Sequence, residues 1–143
     1  MVFTVLAAAL YYIVFYHIPK NLESYLSSLI PLNIKTPTIP ISSTALLVGL
    51  IITFVAPLGI LLKKTLFEGP IGATTGILFA VYLYHLFRGG LVEIKFKEGV
   101  MLGIKSATLT LEIGFLLLLF MIPPILTAVK GILLTIQRLK QTE

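Results

Sequence analysis

The chain has 143 residues, of which 57% are hydrophobic and only 12% are charged, whereas soluble domains carry about 25% charged residues. With a mean hydropathy of +1.03, this composition excludes a soluble globular protein, because no core of this size can bury so much apolar surface. The absence of cysteine excludes disulfides, thiolate metal sites and a thiol nucleophile. The net charge is +5, and the basic residues flank apolar runs, which favours the lipid bilayer over nucleic acid as the partner.

Four apolar runs, residues 2–18, 44–62, 70–87 and 107–129, fill most of the chain. Each has about the ~20 residues that a helix needs to cross a bilayer. We therefore predict an all-α integral membrane protein, a bundle of four transmembrane helices in a single polytopic domain over residues 1–143. The first run lacks a preceding basic segment, which favours a retained span over a cleaved signal.

The connections also carry patterns. Pro19 is expected to end the first helix, and the apolar spacing over Leu22–Ile30 predicts a helix that lies on the membrane surface. Residues 91–97 alternate apolar and charged side chains, which predicts a strand. A turn at Glu98-Gly99 and a returning strand at 100–102 would complete a hairpin. The alternative is an amphipathic helix that continues into the fourth run.

Prolines and glycines inside the runs predict bends and close contacts. Pro57 predicts a kink in the second helix, and the tandem Pro123-Pro124 predicts a sharp bend or break in the fourth. Gly72 and Gly76, four residues apart, permit close helix–helix packing. Residues 131–143 form an amphipathic tail, expected at the membrane interface or as a short projecting helix.

A weak internal similarity suggests a duplicated two-helix hairpin. Phe15-Tyr16-His17-Ile18 ends the first run and Leu83-Tyr84-His85-Leu86 ends the third. A long connection follows each of these runs, so both long connections lie on one face. Under a duplication, the two halves share an orientation and are related by an axis along the membrane normal.

Four unusual residues gather on that same face. Spans alternate in direction, so the ends of runs one and three meet the starts of runs two and four. His17 and His85 lie near the ends of runs one and three, and Arg88 follows His85. Glu112 is placed about five residues into the fourth run, or ~7–8 Å deep. A carboxylate at that depth is costly to insert and is by default a functional-site hypothesis.

These residues support three interpretations. Glu112 with His85 or Arg88 forms a proton or cation site, or contacts a quinone headgroup, because desolvation lets a Glu exchange protons near neutrality. His17 and His85 ligate a b-type haem, although both sit at helix ends rather than in mid-span. In the structural alternative, the histidines face water and Glu112 pairs with Lys105, Arg88 or a partner subunit. Two histidines and one carboxylate on separate helices do not indicate a zinc site, and no catalytic motif is found in the sequence.

The sequence thus predicts a small non-catalytic subunit of a larger membrane complex, respiratory or energy-transducing. The alternatives are an autonomous homo-oligomeric transporter or channel that uses Glu112, and an electron-transfer subunit that binds haem b or quinone. The expected partners are lipid and other membrane subunits or further copies of the chain. The charged residues are Lys, Arg and Glu without Asp, and amide side chains are few, a composition that favours a thermophilic origin.

We expect a multi-pass protein of the cell membrane with both termini in the cytoplasm. The basic residues of the face that carries the termini lie close to the spans: Lys63, Lys64, Lys130, Arg138 and Lys140. Those of the other face are spread over long connections: Lys20, Lys35, Arg88, Lys95, Lys97 and Lys105. The higher density near the spans favours the cytoplasmic side for the termini.

Overall fold

The structure is a computed structural model that describes residues 1–29, 41–96 and 107–142. A long N-terminal helix comes first, and it is followed by a short helix, two 19-residue helices, a pair of strands and a long final helix. The helices are α1 Val2–Tyr12, α2 Ile18–Lys20, α3 Leu22–Leu29, α4 Ser43–Leu61, α5 Glu68–Leu86 and α6 Gly114–Thr142. The strands are β1 Leu91–Phe96 and β2 Ala107–Glu112.

Within the described residues, three helices are long and apolar enough to cross a membrane: Val2–Lys20, Ser43–Leu61 and Gly114–Thr142. They make this a helical protein compatible with a membrane. The predicted third span forms α5, which has the length of α4 but includes Glu68, His85 and several glycines and threonines that lower its hydropathy. The four-span bundle and the duplication remain predictions. The two connections that a duplication would equate differ, because one contains a helix, α3, and the other a pair of strands.

Pro19 does not end the first helix, which was the prediction, because the helix continues to Lys20. Proline has no N–H to give to the carbonyl of Phe15, and its ring crowds that carbonyl in a regular α-helix. The chain widens instead into π-helical turns over Ile13–His17, where the Ile18 N–H bonds to the carbonyl of Ile13. Helical geometry is interrupted only at Asn21. Helix α3 then confirms the helix predicted from residue 22.

Helix α4 is the centre of the packing. Ile52 is fully buried, and it forms an apolar cluster with Val48 and Ala56 of α4 and Tyr82 of α5. Phe15 of the N-terminal helix covers this cluster, with its ring edge-on to Tyr82 at 5.2 Å. Gly49 lets the two helices approach closely, because a Cβ at this position would overlap the carbonyl of Phe15.

Helices α5 and α6 pack antiparallel, and glycines that face the backbone of the other helix make their closest contacts. A Cβ on Gly76 would lie 2.6 Å from the Pro124 carbonyl oxygen and 2.5 Å from the Ala128 nitrogen. A Cβ on Gly131 would lie 2.6 Å from the carbonyl oxygen of Gly69. Of the predicted packing pair, Gly76 is therefore in the tight contact, while a Cβ on Gly72 would make an ordinary contact of 3.7 Å.

The strands continue this helix pair as an antiparallel hairpin. Leu91 lies opposite Glu112, and Phe96 lies opposite Ala107. The strand predicted from residue 91 is confirmed, and the returning strand predicted at 100–102 falls outside the described residues. The prediction that the fourth span begins at 107 is wrong. Residues 107–112 alternate Thr with Leu, a β-favouring pattern, and the helix begins at Gly114.

Helix α6 is a single helix of 29 residues that includes Pro123 and Pro124, so the alternative of a break at these prolines is wrong. The bends predicted at Pro57, Pro123 and Pro124 remain predictions. The predicted C-terminal tail is not a separate segment, because residues 131–142 continue α6 and pack on the start of α5. At ~1.5 Å per residue the helix is about 43 Å long, which exceeds a hydrocarbon layer of ~30 Å.

Candidate functional site

Glu112 does not lie inside a span, in contrast to the prediction. It is the last residue of β2, is exposed, and pairs in register with Leu91 at the base of the hairpin. It therefore lies before the helix that could span the membrane, which begins at Gly114, and not five residues into it. The apolar run was misleading because the strand and the helix that follows it are both rich in leucine.

Arg88 lies at the same hairpin base. It is exposed, has a φ of 49°, and belongs to a short 3₁₀ turn between α5 and β1. Two residues later, the carbonyl of Gly90 accepts a hydrogen bond of 2.7 Å from the N–H of Ile113, the residue after Glu112. Gly90 has a φ of 98°, and a Cβ there would lie 2.7 Å from the Cα of Gly114. The close approach of Gly90 to residues 113 and 114 joins the two strands at this end. Arg88 and Glu112 therefore lie at the same end of the hairpin.

The two histidines lie at this end of the helices as well. His17 follows Phe15 by two residues and His85 follows Tyr82 by three, and the Phe15–Tyr82 ring contact joins the two helices. The exposed His17 ring has its Nδ1 within 3.5 Å of the Asn21 side-chain nitrogen. His85 is half-buried. The structure thus places the four predicted residues at one end, and over residues 1–29, 41–96 and 107–142 it shows no cluster of three or more metal-ligating side chains.

A polar cluster at the opposite end was not predicted. Glu68, in the first turn of α5, pairs with Arg138 of α6 at 2.7 Å, and about a quarter of each side chain is exposed. The same carboxylate oxygen accepts a hydrogen bond from the Lys64 N–H at 2.7 Å. Arg138 also donates to the Lys64 carbonyl at 2.8 Å. The cluster fastens the α4–α5 turn to α6. The residues that form it were assigned elsewhere, since Glu68 was placed in the connection before Pro70 and Arg138 in the C-terminal tail.

A cleft of about 170 Å³ lies beside this cluster. It is bounded by the end of α4, the start of α5 and the second half of α6. Its lining combines small residues with a few polar ones: Gly59, Glu68, Gly72, Thr127, Lys130, Gly131 and Leu134. At two of its glycines, Gly59 and Gly72, a Cβ would have no neighbouring atom closer than 3.7 Å, so the chain leaves room at these positions.

The two ends differ in chemistry. One has a hairpin base with an exposed arginine and an exposed carboxylate, and the other has an ion pair, a cleft and several lysines. Both arrangements suit contacts with polar partners at a membrane surface. Comparisons of the chain with protein-family models, with curated proteins and with solved structures find no match, so its function is argued from geometry and chemistry alone.

Proposed function

We propose that this chain is a small non-catalytic subunit of a larger membrane complex, and that it crosses the membrane four times. The position of Glu112 carries the proposal. The transporter alternative depended on a carboxylate inside a span, and Glu112 instead lies exposed on a strand. Glu68, in the first turn of α5, is held by Arg138, which supports a structural role for this acid.

The α5–hairpin–α6 unit suits a role in assembly. Its helices are locked by backbone contacts at Gly69, Gly76 and Gly131, and they extend into a hairpin at one end and a basic helix at the other. Such a rigid unit offers surfaces on both sides of the membrane while presenting apolar side chains between them. Phe115, Leu118 and Leu126 of α6 are more than half exposed, as expected for contact with lipid or with another membrane helix.

The neighbours of α5 support the proposal that it crosses the membrane. It packs between α4 and α6, both apolar enough to span, and touches α6 from Gly69 to Gly76. Packing against both neighbours supports a position of α5 at the same depth in the membrane. We place both termini on the cytoplasmic side of the cell membrane, because lysines and Arg138 concentrate close to the spans at that end.

Native mass spectrometry of the tagged chain, extracted gently from its own membranes, tests the proposal. We expect a heteromeric mass that reduces to the single chain in a harsher detergent. A mass equal to one chain or a simple multiple would contradict a subunit role. In that case the transporter alternative is tested by Glu112→Gln, which would abolish proton-coupled flux without loss of folding. An added mass of a haem or quinone would favour the electron-transfer alternative and variants of His17 and His85.

A further inference from the structure

We infer that the cleft between α4, α5 and α6 binds the phosphate group of an anionic lipid, with Lys130 as the residue that pairs with it. The inference is independent of the subunit role, since it rests on the cleft and its charges. Lys130 lines the cleft. Across the described residues, no hydrogen bond or ion pair engages its ammonium group.

The electrostatics of the cleft favour an anion. Glu68 also lines it, but Arg138 lies 2.7 Å from its carboxylate and the Lys64 N–H bonds to the same oxygen. This carboxylate is therefore neutralised by its own partners, and the ammonium of Lys130 remains as the uncompensated charge. Lys63 and Lys64, in the turn after α4, add positive potential at the same end.

The depth of the cleft fits a lipid headgroup. Lys130 lies sixteen residues after Gly114, the first residue of α6, and this corresponds to ~24 Å along the helix. When the hydrocarbon layer of about 30 Å begins at Gly114, Lys130 lies within ~6 Å of the far boundary, where lysine side chains extend toward phosphates. At ~30 Å³ per water molecule, a cleft of about 170 Å³ has room for a phosphate group and ordered water.

The small residues explain why the space exists at this position. A Cβ on Gly72 or Gly59 would make only ordinary contacts of 3.7 Å, so neither glycine is required by helix packing. Larger side chains at these positions would project into the cleft. The hydroxyl of Thr127 bonds to the carbonyl of Pro123 at 2.9 Å, so its oxygen can still accept a hydrogen bond from bridging water.

The test measures lipid retention by native mass spectrometry of the full chain with equimolar phosphatidylglycerol and phosphatidylcholine. We expect one phosphatidylglycerol to be retained preferentially. Lys130→Gln should lower this preference roughly fivefold, the effect expected for one lysine near an anionic headgroup, and Lys130→Arg should restore it. Lys140→Gln removes the same charge from the same helix outside the cleft and should leave the preference unchanged.

Three results would overturn the inference. Equal retention of the two lipids would show that the cleft does not select an anion. Equal losses in Lys130→Gln and Lys140→Gln would show only a diffuse attraction to the basic surface. Thermal stabilisation by inorganic phosphate without any effect of phosphatidylglycerol would identify a soluble phosphate compound as the ligand. A bulky residue in the cleft, Gly59→Leu, should reduce retention with Lys130 in place, and an unchanged preference would also contradict the site.

Discussion

Single glycines determine how closely the helices of this protein approach. Lipid is as apolar as a leucine side chain, so helices in a membrane gain little from the hydrophobic effect and depend on close packing. Gly69, Gly76 and Gly131 allow α5 and α6 to touch through backbone atoms. Gly72 lies on the same helix, but a Cβ there would make only an ordinary contact. Gly76 and Gly72 are therefore a matched pair for experiment.

We predict that Gly76→Ala destabilises the protein, whereas Gly72→Ala does not. The new methyl at residue 76 would lie 2.5 Å from the Ala128 nitrogen and 2.6 Å from the Pro124 carbonyl oxygen, and backbone atoms cannot move aside. Overpacking of this kind costs about 1–3 kcal/mol. The methyl at residue 72 would lie 3.7 Å from the nearest atom. Reversible unfolding in mixed micelles measures both variants, and equal stability of the two would contradict the packing described.

The Glu68–Arg138 pair gives a second prediction at this scale. Each side chain is about one-quarter exposed. We therefore expect the pair to contribute more than a surface ion pair, which is worth at most ~1 kcal/mol, and less than a fully buried one. We expect Glu68→Gln and Arg138→Gln each to cost about 1–2 kcal/mol. Their costs should not add in the double variant, with a coupling of at least ~0.5 kcal/mol. Lys140→Gln, at an exposed position, is the control, and additive costs would show that the pair contributes nothing.

At the scale of elements, the N-terminal helix is the least buried of the three described helices that could span a membrane. Only 6% of its apolar window is buried, compared with 39% for α4. Its closest approach is at Gly49, where any Cβ would overlap the Phe15 carbonyl. That carbonyl belongs to the π-helical turns caused by Pro19. The irregular segment of one helix therefore packs against a glycine of the next.

We predict that Gly49→Ala detaches the N-terminal helix without unfolding the α5–hairpin–α6 unit. Amide hydrogen exchange should accelerate over residues 2–20 and stay slow over α6, because opening is confined to the element that loses its contact. Gly59→Ala is the matched control in α4, since its Cβ would lie an ordinary 3.7 Å from Ile71. Acceleration across all helices in Gly49→Ala would mean that the protein unfolds as one unit.

The sequence predicted elements better than their boundaries. Hydropathy located the helices, and alternation located β1. Hydropathy misassigned residues 107–112, because a strand of Thr and Leu that leads directly into a leucine-rich helix gives one continuous apolar run. That error moved Glu112 into the membrane. Glu68 and Gly69 were treated as connection for a related reason, since Pro70 was taken as the first residue of a helix that begins two residues earlier. The ion pair between Glu68 and Arg138 joins distant segments, and no local pattern could reveal it.

At the scale of the whole molecule, the contacts among the described helices follow a simple order. Helix α4 contacts the N-terminal helix and α5, and α5 contacts α6. The N-terminal helix also reaches α5 through the ring contact of Phe15 with Tyr82. If α5 crosses, the hairpin and residue 24 lie on one side of the membrane, and the α4–α5 turn and residue 141 lie on the other.

Cysteine accessibility tests this arrangement directly, because the chain has no cysteine and each introduced thiol reports alone. We expect Ser24→Cys and Glu112→Cys to react with a membrane-impermeant maleimide from one side of the membrane, and Leu66→Cys and Gln141→Cys from the other. All four positions are exposed. If α5 instead stayed on one side, Leu66→Cys and Glu112→Cys would react together and Gln141→Cys would react from the opposite side. The pairing of residues 66 and 112 therefore decides between four crossings and three, and labelling in intact cells shows which pair faces the cytoplasm.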